Sequence, residues 1–528
     1  MNHTTVSLEE LFFYIYFIIM AVAKGLGLVD GMIYKACLLT AMFFVILKLL
    51  VGKYSIAEYV IIASLLLLCL YIWHVTGNMS FFICVTLVVS LKNVPVRRVF
   101  NVGAFVWTLT FMIQVITQLL NLRARDFVIH NKYHLGYVIR WALGYSHPNV
   151  LQISYAILVM YLFYAFRPEG RKLLKYILIS FAGACYIFMY SLSATGMLMY
   201  LVFAFFLVCF EYAGKYKDKR NRTSIILLNM IFPLAAGISV LGPVILSGRA
   251  FDIVNRLMTT RLALSKRFYT DYGISLFGQN FSKLPAVLTL DCSYTRLLMY
   301  GGLIIFIIMC VGYIFTINDA LKEKCSVENS IKLAIIFSTI IAGMSEPFLF
   351  NESFKNLTLI FLGEWMLSKG LKWAQNGAQY CILRFRMQTI DIPCMVDNSN
   401  IISAHEQMKK KRTVTILAIV VSGSIGTAVY CGTVNLPNEV YALRVSCDTD
   451  DDSKNVYLTE SEAAELRSSG DALILNYKDE KTPLLCFTGS TIRAEYIRGI
   501  VSSFVWSGIT VYVIMILFYS RKRITYES

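Results

Sequence analysis

The sequence predicts an all-α polytopic membrane protein of about fourteen transmembrane helices, with a small extracytoplasmic α/β or β domain near the C-terminus. Three observations predict it. The 528-residue chain is 57% hydrophobic and only 16% charged, with mean hydropathy +0.61, and a soluble protein of this size needs more charged surface. Apolar runs of ~20 residues recur along it, the length that crosses a bilayer core of ~30 Å. Lys and Arg gather in short loops between those runs.

The helices are expected near 11–28, 33–50, 58–76, 79–91, 100–120, 148–166, 173–190, 196–212, 225–246, 296–317, 333–349, 354–368, 413–432 and 499–519. The first follows Glu9 and Glu10 rather than basic residues, and no small-x-small cleavage site succeeds it. It reads as a retained helix, not a signal peptide.

Five basic clusters set the orientation: Lys92 with Arg97 and Arg98, Arg167 to Lys175, Lys215 to Arg222, Lys409 to Arg412, and Arg521 to Arg523. With this helix count they all fall on one side, which the positive-inside rule makes cytoplasmic, as it does both termini. The formal net charge of +16 is thereby explained by topology and anionic headgroups. Nucleic acid is not an expected partner.

The extracytoplasmic segments are then 121–147, 191–195, 247–295, 350–353 and 433–498. Residues 1–368 read as a twelve-helix core and 369–412 as a basic cytoplasmic linker. Residues 413–528 read as a two-helix hairpin carrying the outer domain 433–498. Its runs VYALRV, DALILNY and PLLCFTG are strand-like. The acidic run Asp448 to Asp452 lacks EF-hand spacing and reads as a solvated loop. Thirteen cysteines are scattered, mostly in apolar segments and without a CxxC. Cys447 and Cys486 form a possible pair in the outer domain, which sequence alone does not decide.

Two outer loops are unexpectedly basic. Segment 121–147 holds Arg123, Arg125, Lys132 and Arg140 against Asp126. Segment 247–295 holds Arg249, Arg256, Arg261, Lys266, Arg267 and Lys283 against three Asp. A guanidinium stays charged and grips phosphate with a planar fork, so such loops suit a lipid phosphate or diphosphate. The alternative is headgroup anchoring.

Ser146-His147-Pro148-Asn149 is a helix start, with Ser146 or His147 as cap and Pro148 in the first turn, or it places His147 as a base at the outer surface. The turn Tyr190-Ser-Leu-Ser-Ala-Thr-Gly196 reads as satisfying its own backbone. Within Val254 to Phe281, Arg261, Leu264 and Phe268 recur at helical spacing, as do Asn255 and Arg256 earlier, so a short amphipathic helix on the outer surface is expected there. A turn at Tyr272-Gly273 follows, and ISLFGQ then dips against the bundle. Glu346 falls at the end of the eleventh helix, where an ionisable group needs a partner or a job. Asp291 reads as an ordinary helix cap. No P-loop, HExxH, GxSxG or paired His/Cys set is present, so no metal or cofactor is expected.

The runs ALGYSHPNVL (142–151), YSLSATG (190–196), VNRLMTTRLAL (254–264), YGISLFGQ (272–279), LDCSYTRLLMYGG (290–302) and SEPFLFNESFKNLTL (345–359) together resemble the Wzy-type polymerases of bacterial capsule, O-antigen and exopolysaccharide loci. The resemblance spans roughly residues 10–370. Some polymerases of this class carry Arg-x10-Gly in two outer loops, and Arg125 with Gly136 and Arg267 with Gly278 have that spacing. Ala194 departs from the pattern, standing where an arginine often follows the second serine. The hairpin 413–528 lies outside the resemblance.

The resemblance implies a GT-C-like glycosyltransferase related in architecture to the O-antigen ligases, in the bacterial cytoplasmic membrane. It would join undecaprenyl-diphosphate-linked oligosaccharide units on the outer face, moving the growing glycan from its lipid diphosphate to a sugar hydroxyl of another unit. Arg125, Arg140, Arg261 and Arg267 would bind the departing diphosphate. His147 would be the base, with Glu346 second, and Asn149, Arg249 and Tyr294 would support them. Partners would be lipid-linked oligosaccharide, membrane lipids, and flippase and chain-length regulator proteins. The rivals are a lipid-linked oligosaccharide flippase, which should show homologous halves, and an O-antigen-type ligase.

Overall fold

The computed structural model describes residues 3–28, 30–120, 122, 127–132, 136–214, 220–258, 260–282, 290–383, 389–393, 412–434, 440–445, 454–458, 474–477, 480–483, 485–487 and 489–524. Most of these are helical. The chain forms two units. One comprises Met1–Thr5, Ile113–Pro148 and Asp391–Ser528, the other Val6–Met112 and Asn149–Ile390.

The larger unit is built from the helices α1 (Leu8–Gly25), α2 (Met32–Val51), α3 (Ile56–Thr76), α4 (Ser80–Val89) and most of α5 (Val96–Leu119). There follow α6 (Pro148–Phe166), α7 (Gly170–Ser191), α8 (Ala194–Gly214), α9 (Arg222–Asn229), α10 (Ile231–Val240) and α11 (Gly242–Ile245). Then come α12 (Gly248–Leu257), α13 (Arg261–Tyr272), α14 (Ser293–Arg296), α15 (Gly302–Lys322), α16 (Val327–Ala342) and α17 (Thr358–Trp365).

Among the described residues, nine helical stretches are long and apolar enough to cross a membrane: α2, α3, α5, α6, α7, α8, α9 with α10, α14 with α15, and Tyr496–Ile516 in the smaller unit. The other expected crossings take different forms. The helix α1 keeps its 18 residues but carries Glu9, Glu10 and Lys24. The stretch 413–432 lies in the helix Arg412–Val434, whose apolar part among the described residues is the shorter Ala418–Val434. The helices α4, α16 and α17 are only 10, 16 and 8 residues long.

These short helices are also the most enclosed. Every residue of α4 except Phe82 is buried. Ile331 to Ile340 of α16 are buried on all sides. The longer helices instead leave large side chains outside, Leu39, Phe105 and Phe205 among them. A helix apolar all round belongs in the middle of a bundle. Broken helices and loops are tolerated at membrane depth only inside such protein packing.

Lys24 Nζ sits 3.7 Å from the Tyr34 ring centre and 4.0 Å from Glu352. At the other end of α1, roughly 22 Å away at 1.5 Å per residue, lies a buried ion network. There Lys92 Nζ meets both oxygens of Glu58 at 2.6 and 2.7 Å. Lys48 donates to the Tyr54 hydroxyl and the Lys92 carbonyl, with Glu9 3.6 Å away, and Arg98 donates to Glu10. Glu58 also caps α3 through a reciprocal box with Ser55. The segment after α17 is stitched to this end: Gln375 donates to Glu58, Ser55 to the Ala374 carbonyl, and Tyr54–Ser55 pairs antiparallel with Gln379–Tyr380.

The smaller unit pairs helix α18 (Arg412–Val434) with α19 (Gly489–Ile524). Ser507 Oγ donates to the Ser422 carbonyl, and Gly426 abuts Ser503 and Ser507 where a side chain would not fit. Between these helices the strands Val440–Val445, Lys454–Leu458 and Leu485–Phe487 form an antiparallel sheet, and Ile474–Tyr477 pairs with Glu480–Pro483. Val440–Val445 is the run VYALRV, Ile474–Tyr477 lies within DALILNY, and Leu485–Phe487 lies within PLLCFTG. Cys447 and the acidic loop from Asp448 to Asp452 lie outside the described residues. The same unit holds a hairpin, Phe127–Lys132 with Gly136–Trp141. Its helical end of Ile113–Leu119 meets α18, where Gly432 faces the Leu119 carbonyl.

Candidate functional site

The site forms around the turn that follows α16. That helix ends at Ala342, because Gly343 caps it and Pro347 cannot continue it. Glu346 therefore stands beyond the helix, in extended backbone before the short turn Pro347–Leu349, and not on the helix end that the sequence suggested.

Neighbouring segments hold this turn in place. Ser293, the first residue of α14, donates its N–H to the Gly343 carbonyl and its hydroxyl to the Glu346 carbonyl, while the Leu349 N–H donates to that hydroxyl. Tyr294 donates to the Ile340 carbonyl at 2.9 Å. Asn356 donates to the Leu349 carbonyl and the Tyr313 hydroxyl, both at 2.8 Å. A buried polar turn needs this many partners, since each unsatisfied group costs free energy.

On this frame the Glu346 side chain is only 6% exposed. Its Oε1 accepts from Thr195 Oγ1 at 2.6 Å and from Asn149 Nδ2 at 3.1 Å. Thr195 is available because Leu192 takes a left-handed φ of 46° and closes a tight turn into α8. Gly196 lets that turn approach Gln152, and Ser191 donates to the Gln152 side chain. Asn149 is the second residue of α6, directly after Pro148.

Arg261 reaches the same place from α13. Its Nε donates to the Ser345 carbonyl at 3.0 Å, and Nη2 lies 3.5 Å from Asp291 Oδ2. The cap of α14 is Cys292, so Asp291 serves Arg261 rather than the helix. Lys355, between the turn and α17, is 5% exposed. Burial pushes its ammonium down from 10.5 to about 7; the Glu346 charge opposes that shift and the Lys24 charge adds to it.

Comparison with protein-family models, with curated proteins and with solved structures finds no match to this chain.

Of the residues singled out in the sequence, Glu346, Asn149 and Arg261 are brought together. Tyr294 is fully enclosed and fixes backbone, so it stands behind the turn. Arg267 lies on the exposed side of α13, paired with Asp271 at 3.4 Å. Arg249 is exposed on α12. His147 ends the turn before α6 and Arg140 is a buried residue near the end of a strand, both in the smaller unit. Arg125 lies outside the described residues.

Gly278 has a structural explanation. It takes φ +82°, and a Cβ there would stand 2.1 Å from the Tyr300 carbonyl. The run ISLFGQ docks on the break between α14 and α15, where a π turn spans Leu297–Gly301. Gln279 N–H donates to the Met299 carbonyl and Leu303 N–H to the Ser275 carbonyl. The docking expected of ISLFGQ is present, and the break in the helix supplies the backbone groups for it.

Thr195 and Lys355 were not selected from the sequence. A threonine in a polar turn and a lysine beside an apolar run carry no spacing signal. Their role depends on helices brought together from distant parts of the chain. What gathers here is a buried, oriented carboxylate, a guanidinium one residue away, and a buried amine. Such a set can hold an anion and take up a proton.

Proposed function

We propose that this chain polymerises polyprenyl-diphosphate-linked oligosaccharide units at the outer face of the bacterial cytoplasmic membrane, with both termini cytoplasmic. The observation that carries the reading is the junction of Arg261 with Glu346, whose carboxylate is fixed by Asn149 and Thr195.

In this reaction a sugar hydroxyl of one lipid-linked unit attacks the anomeric carbon of the growing chain. The bond from that carbon to the diphosphate oxygen breaks, and the hydroxyl proton passes to a base. Negative charge grows on the departing diphosphate. A preorganised guanidinium lowers the free energy of that transition state more than that of the ground state. Arg261 fills this role. Glu346 is the base that the geometry supports, with His147, two residues before Asn149 in the chain, as the competing assignment. Direct attack inverts the anomeric centre, which comparison of product linkage with donor linkage reads.

The test is polymer assembly from purified protein and lipid-linked units, comparing wild type with Arg261→Ala, Glu346→Gln and His147→Ala. A ladder of glycan lengths from the wild type, lost in Arg261→Ala and Glu346→Gln with folding intact, supports the proposal. Loss in His147→Ala alone moves the base to His147. Lipid-linked units crossing vesicle membranes without any ladder would replace the polymerase with a flippase. Transfer to a different acceptor would make it a ligase.

A further inference from the structure

The helix α12 has an apolar side that the protein leaves uncovered. At about 100° per residue, Ala250, Ile253, Val254 and Leu257 share one side, and Arg249, Asp252 and Arg256 the other. Ile253 is 61% and Leu257 77% exposed. The sequence suggests one short amphipathic surface helix between Val254 and the turn at Tyr272; the structure has two helices there, Gly248–Leu257 and Arg261–Tyr272. The following helix α13 buries Leu262, Ser265 and Phe268, whereas α12 buries nothing. An exposed apolar stripe opposite a charged one is what a helix lying in a lipid headgroup layer presents.

Two observations select lipid as the occupant. The uncovered apolar surface continues from the preceding helices, since Leu241, Val244 and Ile245 are also exposed and the stretch Arg222–Val240 is apolar enough to cross a membrane. The opposite side is net basic, with Arg249 and Arg256 against Asp252, and Lys266 lies 5.2 Å from the Phe251 ring centre. Such a side complements lipid phosphates.

The helix is also coupled to the site. Asn255 accepts from the Thr260 N–H on its carbonyl and from the Ala263 N–H on its side chain, and Arg261 N–H donates to the Met258 carbonyl. Thr260 takes φ 69°, closing the corner between α12 and α13. Where α12 rests, Arg261 follows.

We propose that Gly248–Leu257 lies flat in the headgroup layer, Ile253 and Leu257 among the acyl chains and Arg249 and Arg256 at lipid phosphates, and that it thereby holds Arg261 at phosphate depth. The purpose of that depth rests on reading Arg261 as the diphosphate residue; the position of the helix does not.

The test places the photocrosslinker benzoylphenylalanine singly at positions 252, 253, 256 and 257 of the full chain, in nanodiscs of phosphatidylglycerol and phosphatidylcholine. Mass spectrometry reads the lipid adducts. All four positions are exposed, and the melting temperature of each variant confirms its fold. Positions 253 and 257 should give several-fold more acyl-chain adduct than 252 and 256. Equal yields at the four positions, or crosslinks from 253 and 257 mainly to a second copy of the chain, would overturn the proposal. No turnover is involved, so this result and the polymerase assay fail independently.

Discussion

Asn149 donates its side-chain amide to Glu346 Oε1 at 3.1 Å, joining residues 197 apart in the chain. It ties the first turn of α6 to the turn after α16. A hydrogen bond to an ionised group contributes about 1.5–3 kcal/mol. On the proposed function, Asn149→Ala should therefore cut polymer synthesis by roughly ten- to a hundred-fold, and Asn149→Asp, which faces Glu346 with a second carboxylate, should cut it further. Equal activity of wild type and Asn149→Asp would remove Glu346 from the mechanism.

Arg261 and Arg267 sit on one helix and should behave differently. Arg261→Lys keeps the charge but loses the fork that meets Ser345 and Asp291. It should lose most activity with little change in melting temperature. Arg267 has an exposed partner, and such pairs contribute about 0–1 kcal/mol. Arg267→Ala should melt within a few degrees of wild type, and a large loss of activity in it would return Arg267 to the site.

Gly278→Ala tests the same loop from its other end. The left-handed φ and the 2.1 Å approach to the Tyr300 carbonyl leave no room for a methyl group. The variant should be clearly destabilised whether or not Arg267 is present. Additive melting shifts in Gly278→Ala with Arg267→Ala would show that the Arg-x10-Gly spacing joins two unrelated functions. A strong coupling would say the opposite.

Lys355 makes stability depend on pH. Its amine titrates at about 7 in the folded protein and 10.5 in the unfolded one. Between those values the unfolded chain binds more protons, so its contribution to stability rises with pH across the window. Below about 7 both states carry the charge, and the cost of burying it is fully present. Lys355→Met should thus melt well above wild type in mild acid, and the gap should narrow on going to alkaline pH. A gap independent of pH would contradict the burial of a titrating amine.

At the far end of α1, Glu58 and Lys92 form a buried pair remote from the site. Breaking one partner of such a pair costs about 3–5 kcal/mol, whereas replacing both is often near neutral. Glu58→Gln should destabilise strongly, and Glu58→Gln with Lys92→Met should recover much of the loss. Thermal melting of the single and double variants reads this, and an unrecovered double variant would show that other members of the network dominate.

The class is legible in the chain alone. Long apolar runs such as Met32–Val51 and Ala194–Gly214 need no tertiary information, because a bilayer-spanning helix satisfies its own backbone and declares itself by length. The start of α6 at Pro148 and the docking of ISLFGQ were legible from the residues there. Glu346, Asn149 and Arg261 were legible as residue types that need a reason to be where they are. That they meet follows from the packing of distant segments. The same packing put Thr195 on Glu346 and Asp291 beside Arg261, buried Lys355, set Tyr294 and Gly278 against backbone carbonyls, and left the apolar side of α12 rather than α13 uncovered. Short enclosed helices such as α4 and α16 evade a length rule because neighbouring protein, not lipid, surrounds them. A contact between residues nearly two hundred positions apart has no period in the chain, so packing alone creates it.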